Sequence, residues 1–364
     1  MTSLEDKIRE IEEEISTTEY NKATQHHIGK LKAKLAKLKE DFLKRSSKGG
    51  SGFGFAVKKT GHATVVIIGF PSVGKSTLLN KLTNAQSAVG SYDFTTLDVI
   101  PGLMEYKNVR LQLLDVPGII GGASSGKGRG REVLAVARNA DVVLILADTT
   151  KKGQFRQIVE ELEGAGVRLN KHPPRVSIRR TLGGGVHLLP TVPLTKIDVE
   201  TARSIANTFG VHNAEISVHE DITMDELVDA FNGNRVYTPA VFALNKVDTV
   251  DKAKVKEFTE DVKECILISA EKDVNLDKLR EEIFAKLGFI RVFLKPQGGR
   301  VDAHEPLILK TGSTVRDICG KLHKDFLHGF RYAVIWGASA KHKGQRIGLT
   351  HTLSDGDVVS IIKK

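Results

Sequence analysis

Apolar residues along this chain follow more than one rhythm, and each rhythm marks a region. Leu4, Ile8, Ile11 and Ile15, and then Leu31, Leu35, Leu38 and Phe42, recur at helical spacing with polar residues between them. They predict two amphipathic helices folded back as a hairpin over residues 1–45. SSKGGSGFG follows, a glycine- and serine-rich composition that predicts a flexible linker over 46–59. Apolar runs at 63–68 and 240–244, with strand-like segments at 109–114, 141–147 and 265–268, then alternate with loops and helices. That alternation is the signature of an α/β, doubly wound domain. The domain occupies 60–171 and resumes over 236–288, the interval between being too long for a single crossover helix. Residues 172–235 therefore form an insertion, with the hairpin-like VSIRRTLGGGVHLLP and helical patterns at 199–209 and 223–231. Shorter strand-like pieces surround the helical TVRDICGKLHKDF from 289 to 364 and predict a small separate module.

The loops after the buried strands carry the chemistry. GFPSVGKST, residues Gly69, Phe70, Pro71, Ser72, Val73, Gly74, Lys75, Ser76 and Thr77, joins the first strand to a helix. A turn of this kind aims backbone N–H groups and a helix N-terminus at a nucleotide β-phosphate. Lys75 is placed to reach the β- and γ-oxygens, and the Ser76 hydroxyl to bind Mg²⁺. Asn245-Lys246-Val247-Asp248 selects the base. Guanine presents two adjacent donors to one carboxylate, which Asp248 can accept, while Lys246 lays its stem along the ring and Asn245 ties the loop to the phosphate loop. Asp115-Val116-Pro117-Gly118 follows another strand, with Asp115 facing the metal through a water and the Gly118 N–H facing the γ-phosphate. Thr95 and Thr96 offer a hydroxyl to close over the metal, and Thr96 is the expected one. Ser269-Ala270 would meet guanine O6 through backbone N–H. An ATP-dependent kinase is excluded by the NKVD tetrad and by the lack of an acceptor-site motif.

GFPSVGKST, YDFTTLDVIPG, DVPGIIGGASSGKGRGREVL and NKVD together resemble the Obg superfamily of GTPases, and specifically the developmentally regulated GTP-binding proteins. The similarity extends over essentially the whole chain. It implies a P-loop GTPase core, an N-terminal helical hairpin, an inserted small α+β domain akin to a ribosomal-protein domain, and a C-terminal β-grasp (TGS) domain. The family's FTT pattern gives the switch role to the second threonine, Thr96. Lys75, Thr96 and Gly118 are thus the expected catalytic positions, and Ser76, Thr96 and Asp115 the expected Mg²⁺ positions. Potassium-using members of the superfamily carry asparagine where this chain has Ser72, a departure that counts against K⁺, although the serine hydroxyl could still supply one ligand to it.

Composition adds a partner. No run approaches the roughly 18 apolar residues of a membrane span, and residues 1–20 are acidic and helical, so a cytoplasmic protein with no membrane partner is expected. Cys265 and Cys319 read as small core residues. The formal charge of +10 is uneven: residues 21–60 hold +9 and residues 289–364 hold +7, leaving −6 elsewhere. Positive ends on a near-neutral nucleotide engine point to a polyanion, the ribosome or structured RNA. Pairing of the basic second helix with the acidic first is the alternative for its lysines. Arg175, Arg179 and Arg180 of the insertion, and Lys341, Lys343 and Arg346 of the C-terminal module, are the candidate RNA contacts. His323 and Asp325 read as fold-holding.

Phosphoryl transfer to water depends on positioning and charge neutralisation. Ile119 stands where Ras-like enzymes place the water-orienting glutamine, so slow intrinsic hydrolysis is expected unless another residue or a partner completes the site. Arg129 and Arg131 are candidates for an internal arginine finger or for ordering the switch and meeting the partner. The expectation is a GTPase that hydrolyses GTP to GDP and phosphate and acts as a switch on ribosomes or structured RNA. A GTP-dependent assembly scaffold for a regulatory protein partner, with incidental hydrolysis, is the alternative.

Overall fold

The computed structural model describes residues 4–19, 21, 24–47, 60–83, 100–116, 136–302 and 305–363. Thr95, Thr96, Gly118, Ile119, Arg129 and Arg131 lie outside these, as does most of the expected linker.

The chain opens with helices α1 (Leu4–Thr17) and α2 (Gln25–Ser47). Strand β1 (Ala63–Gly69) leads through the phosphate loop into α3 (Lys75–Leu82), and β2 (Ile100–Tyr106) and β3 (Val109–Asp115) follow. Then come β4 (Val142–Asp148), α4 (Gln154–Gly164) and β5 (Val167–Leu169). The inserted segment supplies β6 (Val176–Arg180), β7 (Val186–Pro190), α5 (Val199–Thr208), β8 (Ala214–Val218) and α6 (Met224–Asn232). The core resumes with β9 (Val236–Thr238), β10 (Ala240–Asn245), α7 (Lys252–Thr259), β11 (Ile266–Leu267) and α8 (Leu276–Leu287). Last are β12 (Phe289–Leu294), β13 (Leu307–Lys310), α9 (Val315–Leu322), α10 (Lys324–His328), β14 (Phe330–Trp336), β15 (Gln345–Ile347) and β16 (Val358–Lys363).

These elements form two compact units. One comprises residues 57–119, 139–158 and 239–364 and holds two sheets. Its six-stranded sheet runs β11-β10-β4-β1-β3-β2, parallel except for β2, which pairs antiparallel with β3. Every residue of β1 and β4 is buried, which explains why these strands read as unbroken apolar runs rather than alternating ones. The order reverses about β1, so the loop after β1 opens at a switch point where α/β sheets leave a crevice. The five-stranded sheet runs β13-β12-β16-β14-β15. Its inner face packs on α9 through Ile290, Val292, Val315, Ile318, Ala333 and Ile335. Phe289 and Ile308, on the opposite face of β12 and β13, join the core of the six-stranded sheet beside Phe284 and Leu287 of α8. The sequence reading missed β15, which begins inside the basic loop.

The other unit holds residues 1–56, 120–138 and 159–238. Its sheet corrects one expectation. β6 and β7 do not pair as a hairpin: β8 lies between them, antiparallel to β6 and parallel to β7. The glycines at 183–185 therefore connect two strands a whole strand width further apart than a hairpin turn would. The core also absorbs α2, whose Ile28, Ala33 and Ala36 pack with Ile205 and Ala206 of α5 and Leu227 of α6. Gly29 permits the approach, because a Cβ there would lie 2.7 Å from Thr201 Cγ2. The α2 lysines divide accordingly. Lys39 pairs with Glu12 of α1, while Lys32 reaches Asp225 and Lys37 reaches the Thr208 carbonyl. Beside them, buried Asp229 holds both Arg168 and Arg235 at 2.6 and 2.8 Å.

Candidate functional site

The site assembles from loops at the carboxyl ends of β1, β3, β4, β10 and β11. Two glycines set the first loop. A Cβ on Gly69 would lie 2.3 Å from the Leu146 carbonyl, and Gly74 sits at φ +97° with its Cβ position 2.4 Å from Asn245 Nδ2. Glycine is thus required by close approach at both, and by backbone conformation at Gly74. Ser72 adopts φ 64°, a left-handed conformation uncommon for a side-chain-bearing residue. That turn presents its carbonyl to Lys246 Nζ at 2.7 Å.

Lys75, the first residue of α3, is buried and folds back over the loop, donating to the carbonyls of Gly69 at 3.1 Å and Phe70 at 3.0 Å. Burial lowers its pKa, partly offset by the Asp115 carboxylate. An ammonium satisfied only by neutral carbonyls, and short of full charge compensation, is suited to an arriving phosphate. Beside it the Ser76 hydroxyl donates to Asp115 Oδ2 at 2.6 Å. A hydroxyl and a carboxylate so close are hard oxygen donors of the kind Mg²⁺ accepts, and with substrate phosphates and water they fit that ion. Pro71, Ser76 and Thr77 are exposed at the mouth, whereas Val73 is buried.

Asn245 is the structural centre of the site. It is 3% exposed; its Nδ2 donates to the Val73 carbonyl and its Oδ1 accepts from the Ala270 N–H, both at 2.9 Å. One side chain thus fastens the phosphate loop to the loop after β11. The Ala270 N–H expected to meet guanine O6 is engaged in this bond, so it acts here as part of the clamp. Lys246, at φ 61°, spans from the Ser72 carbonyl to Asp148 Oδ2, each at 2.7 Å. Its ammonium is thus held between the phosphate loop and the end of β4. Asp248 is held by Ser269 and Lys272, and bonds from those two keep its carboxyl below the ordinary carboxylate range. A carboxylate that stays ionised is what a guanine's paired donors require.

Sequence reasoning missed the support beneath Lys246. Asp148, at the end of β4 and 2% exposed, receives Thr150 and Gln154 as well as Lys246. Burial works against its charge, but these bonds outweigh it and lower its pKa. Thr149 and Thr249 join hydroxyls at 3.0 Å, and both reach the Lys246 carbonyl. An acid ending an apolar strand, followed by two threonines, was the available signal. Arg179 of the insertion pairs with Glu215, and Arg180 lies on the same exposed strand edge. Lys341, Lys343 and Arg346 are exposed in the C-terminal module.

Among the described residues no helix is long and apolar enough to cross a membrane. The model of 50S ribosome-binding GTPases matches residues 64–179, that of the C-terminal region of the MMR_HSR1 domain matches 183–289, and that of the TGS domain matches 290–363. An uncharacterized GTP-binding protein of Methanocaldococcus jannaschii is 53% identical across 99% of this chain and 93% of that one. Developmentally-regulated G-protein 3 of Arabidopsis thaliana is 46% identical over the full length of both chains. Developmentally-regulated GTP-binding protein 1 of Xenopus laevis is 44% identical over 98% of each. With a P-loop GTPase core in which Asn245 fastens the loop after β1 to the loop after β11, and a TGS domain following it, the chain belongs to the developmentally regulated GTP-binding proteins.

Proposed function

We propose that this protein binds GTP with Mg²⁺ in the crevice at the end of β1, hydrolyses it to GDP and phosphate, and acts as a switch on ribosomes or structured RNA. The observation that carries the reading is the buried Asn245, which joins the phosphate loop to the loop after β11 and so couples recognition of a guanine to the grip on its phosphates. Asp248 takes the two guanine donors, and Lys246 lies along the ring with its ammonium anchored by Asp148. Lys75 exchanges its loop carbonyls for β- and γ-phosphate oxygens, gaining the charge partner that its burial makes favourable. Ser76 and Asp115 would hold Mg²⁺, which would supply Lewis-acid stabilisation of charge at the transferred phosphoryl group. Thr96 would close over that ion and Gly118 would donate to the γ-phosphate.

Turnover is slow for the isolated chain because Ile119 has no group to orient water. A ribosome or a regulatory protein then supplies what is missing, or brings Arg129 or Arg131 into play. The basic character of residues 21–60 and 289–364 supports a polyanionic partner.

The test is GTP turnover by the purified protein in sodium and in potassium buffer, each with and without ribosomes. Faster turnover with ribosomes is expected. A rate indifferent to ribosomes but still specific for GTP would overturn the ribosomal switch in favour of a scaffold awaiting a protein partner. A potassium-dependent rate would give Ser72 a role at a second cation.

A further inference from the structure

β14 alternates two environments. Ala333 and Ile335 are fully buried against α9, whereas Tyr332, Val334 and Trp336 face the other way and are only partly covered. Register carries that outer face sideways: Val334 is opposite Arg346 on β15, Trp336 opposite Val358 on β16, and Val358 opposite Phe293 on β12. None of Phe293, Tyr332, Val334, Trp336 or Val358 belongs to the apolar core that holds Phe289 and Ile308 or to the one that packs on α9. Toward β13 the same face is covered, since Phe289 and Ile308 pack into the G-domain core. The uncovered part is therefore confined to β12, β16, β14 and β15.

Its chemistry is mixed in a particular way. The Arg346 guanidinium lies 4.8 Å from the Tyr332 ring centre, and Lys295 Nζ lies 4.8 Å from that of Trp336. Among the described residues neither cation has a carboxylate partner, in contrast to Arg291 of β12, which is paired with Asp355 at 2.8 Å. The turn after Lys341-His342-Lys343 returns past Trp336, where a Cβ on Gly344 would be 3.5 Å from the indole Nε1. Thus two aromatic rings stand on one strand, four residues or about 13 Å apart, each with a cation over it that lacks an acid partner.

We propose that this outer face of the TGS sheet is a stacking platform for single-stranded RNA, with bases lying on Tyr332 and Trp336 and the phosphates between them on Arg346 and Lys295. A protein helix seeking an apolar face would be poorly served by unpaired cations above both rings. A nucleic acid uses ring and cation together, because every base has a π-face and every linkage a negative charge. Cation–ring contacts also keep the rings standing and partly shielded while the face is empty. The inference deepens the proposed RNA partnership and rests on it, but it does not involve the nucleotide site.

Trp336 is the only tryptophan in the chain, so its emission reports directly on this face. The protein is titrated with single-stranded oligoadenylate and oligouridylate of about ten nucleotides, long enough to reach across both rings. Saturable, salt-sensitive quenching of Trp336 is expected, and Tyr332→Ala should weaken the titration by roughly 5- to 100-fold while guanine-nucleotide binding stays unchanged. Arg346→Lys should retain most of the affinity and Arg346→Ala lose it, with thermal melting of each variant checking that the module is folded. Equal quenching by an RNA duplex, or quenching unaffected by Tyr332→Ala in a folded variant, would overturn stacking. Quenching that grows with protein concentration alone would make the face a self-association surface and overturn the RNA assignment. Absence of quenching alongside normal ribosome-stimulated turnover would reject the platform and leave the GTPase switch intact.

Discussion

The two sheets of the larger unit use their surfaces in opposite ways. In the parallel sheet β4 is buried at all seven positions, and chemistry is confined to the loops beyond the strand ends. In the β-grasp sheet β14 alternates buried and partly exposed residues, and chemistry stands on the face itself. A sheet covered on both sides can offer a ligand only its ends, where backbone N–H groups and helix termini converge. A sheet covered on one side can offer an area. The first geometry suits a compact polyphosphate, and the second an extended chain.

The difference can be broken hardest at the nucleotide end. Asp248→Asn replaces one acceptor with a donor facing guanine's own donors, and GTP affinity should fall by about 10²-fold or more while xanthosine triphosphate gains, read by nucleotide competition. Leu144→Ala, in the middle of fully buried β4, should cost about 2–5 kcal/mol in denaturant unfolding. Asn245→Ala leaves the Val73 carbonyl and the Ala270 N–H without their partner, and should cost about 1–3 kcal/mol together with weaker nucleotide binding. Val334→Ala, on the open face of β14, should cost under about 1 kcal/mol by the same unfolding measurement. If Val334→Ala proved as costly as Leu144→Ala, the outer face would be covered and the contrast between the sheets would fail.

Burial lowers the folded pKa of Lys75 relative to the unfolded chain, so keeping it protonated opposes folding at pH below that lowered value, and the cost fades as pH rises toward the unfolded pKa. Bound triphosphate favours the charged form. GTP binding should therefore take up a proton wherever the unliganded protein holds Lys75 partly deprotonated, measured as a buffer-dependent heat of binding. Lys75→Met should abolish that uptake.

Much of this was legible because the residues concerned obey local rules. Gly69, Gly74, Lys75 and Ser76 are contiguous or nearly so, and a strand followed by a glycine turn and a helix has few alternatives. The insertion was harder. VSIRRTLGGGVHLLP has the look of a hairpin, but β8, more than thirty residues from β6, separates its strands. Asp148 and Gln154 were missed as site residues because Asp148 holds Lys246, nearly a hundred residues away, and Gln154 in turn holds Asp148.

Local sequence was enough for the set of buried strands and the loops that end them, since hydrophobic runs and turn glycines act over a few residues. Tertiary structure alone decided that α2 packs on α5 and α6, that Asn245 clamps two distant loops, and that one face of the β-grasp sheet is left open with cations above its rings. Those outcomes depend on which surfaces meet, and a sequence pattern specifies that a face is apolar or charged without specifying what will cover it.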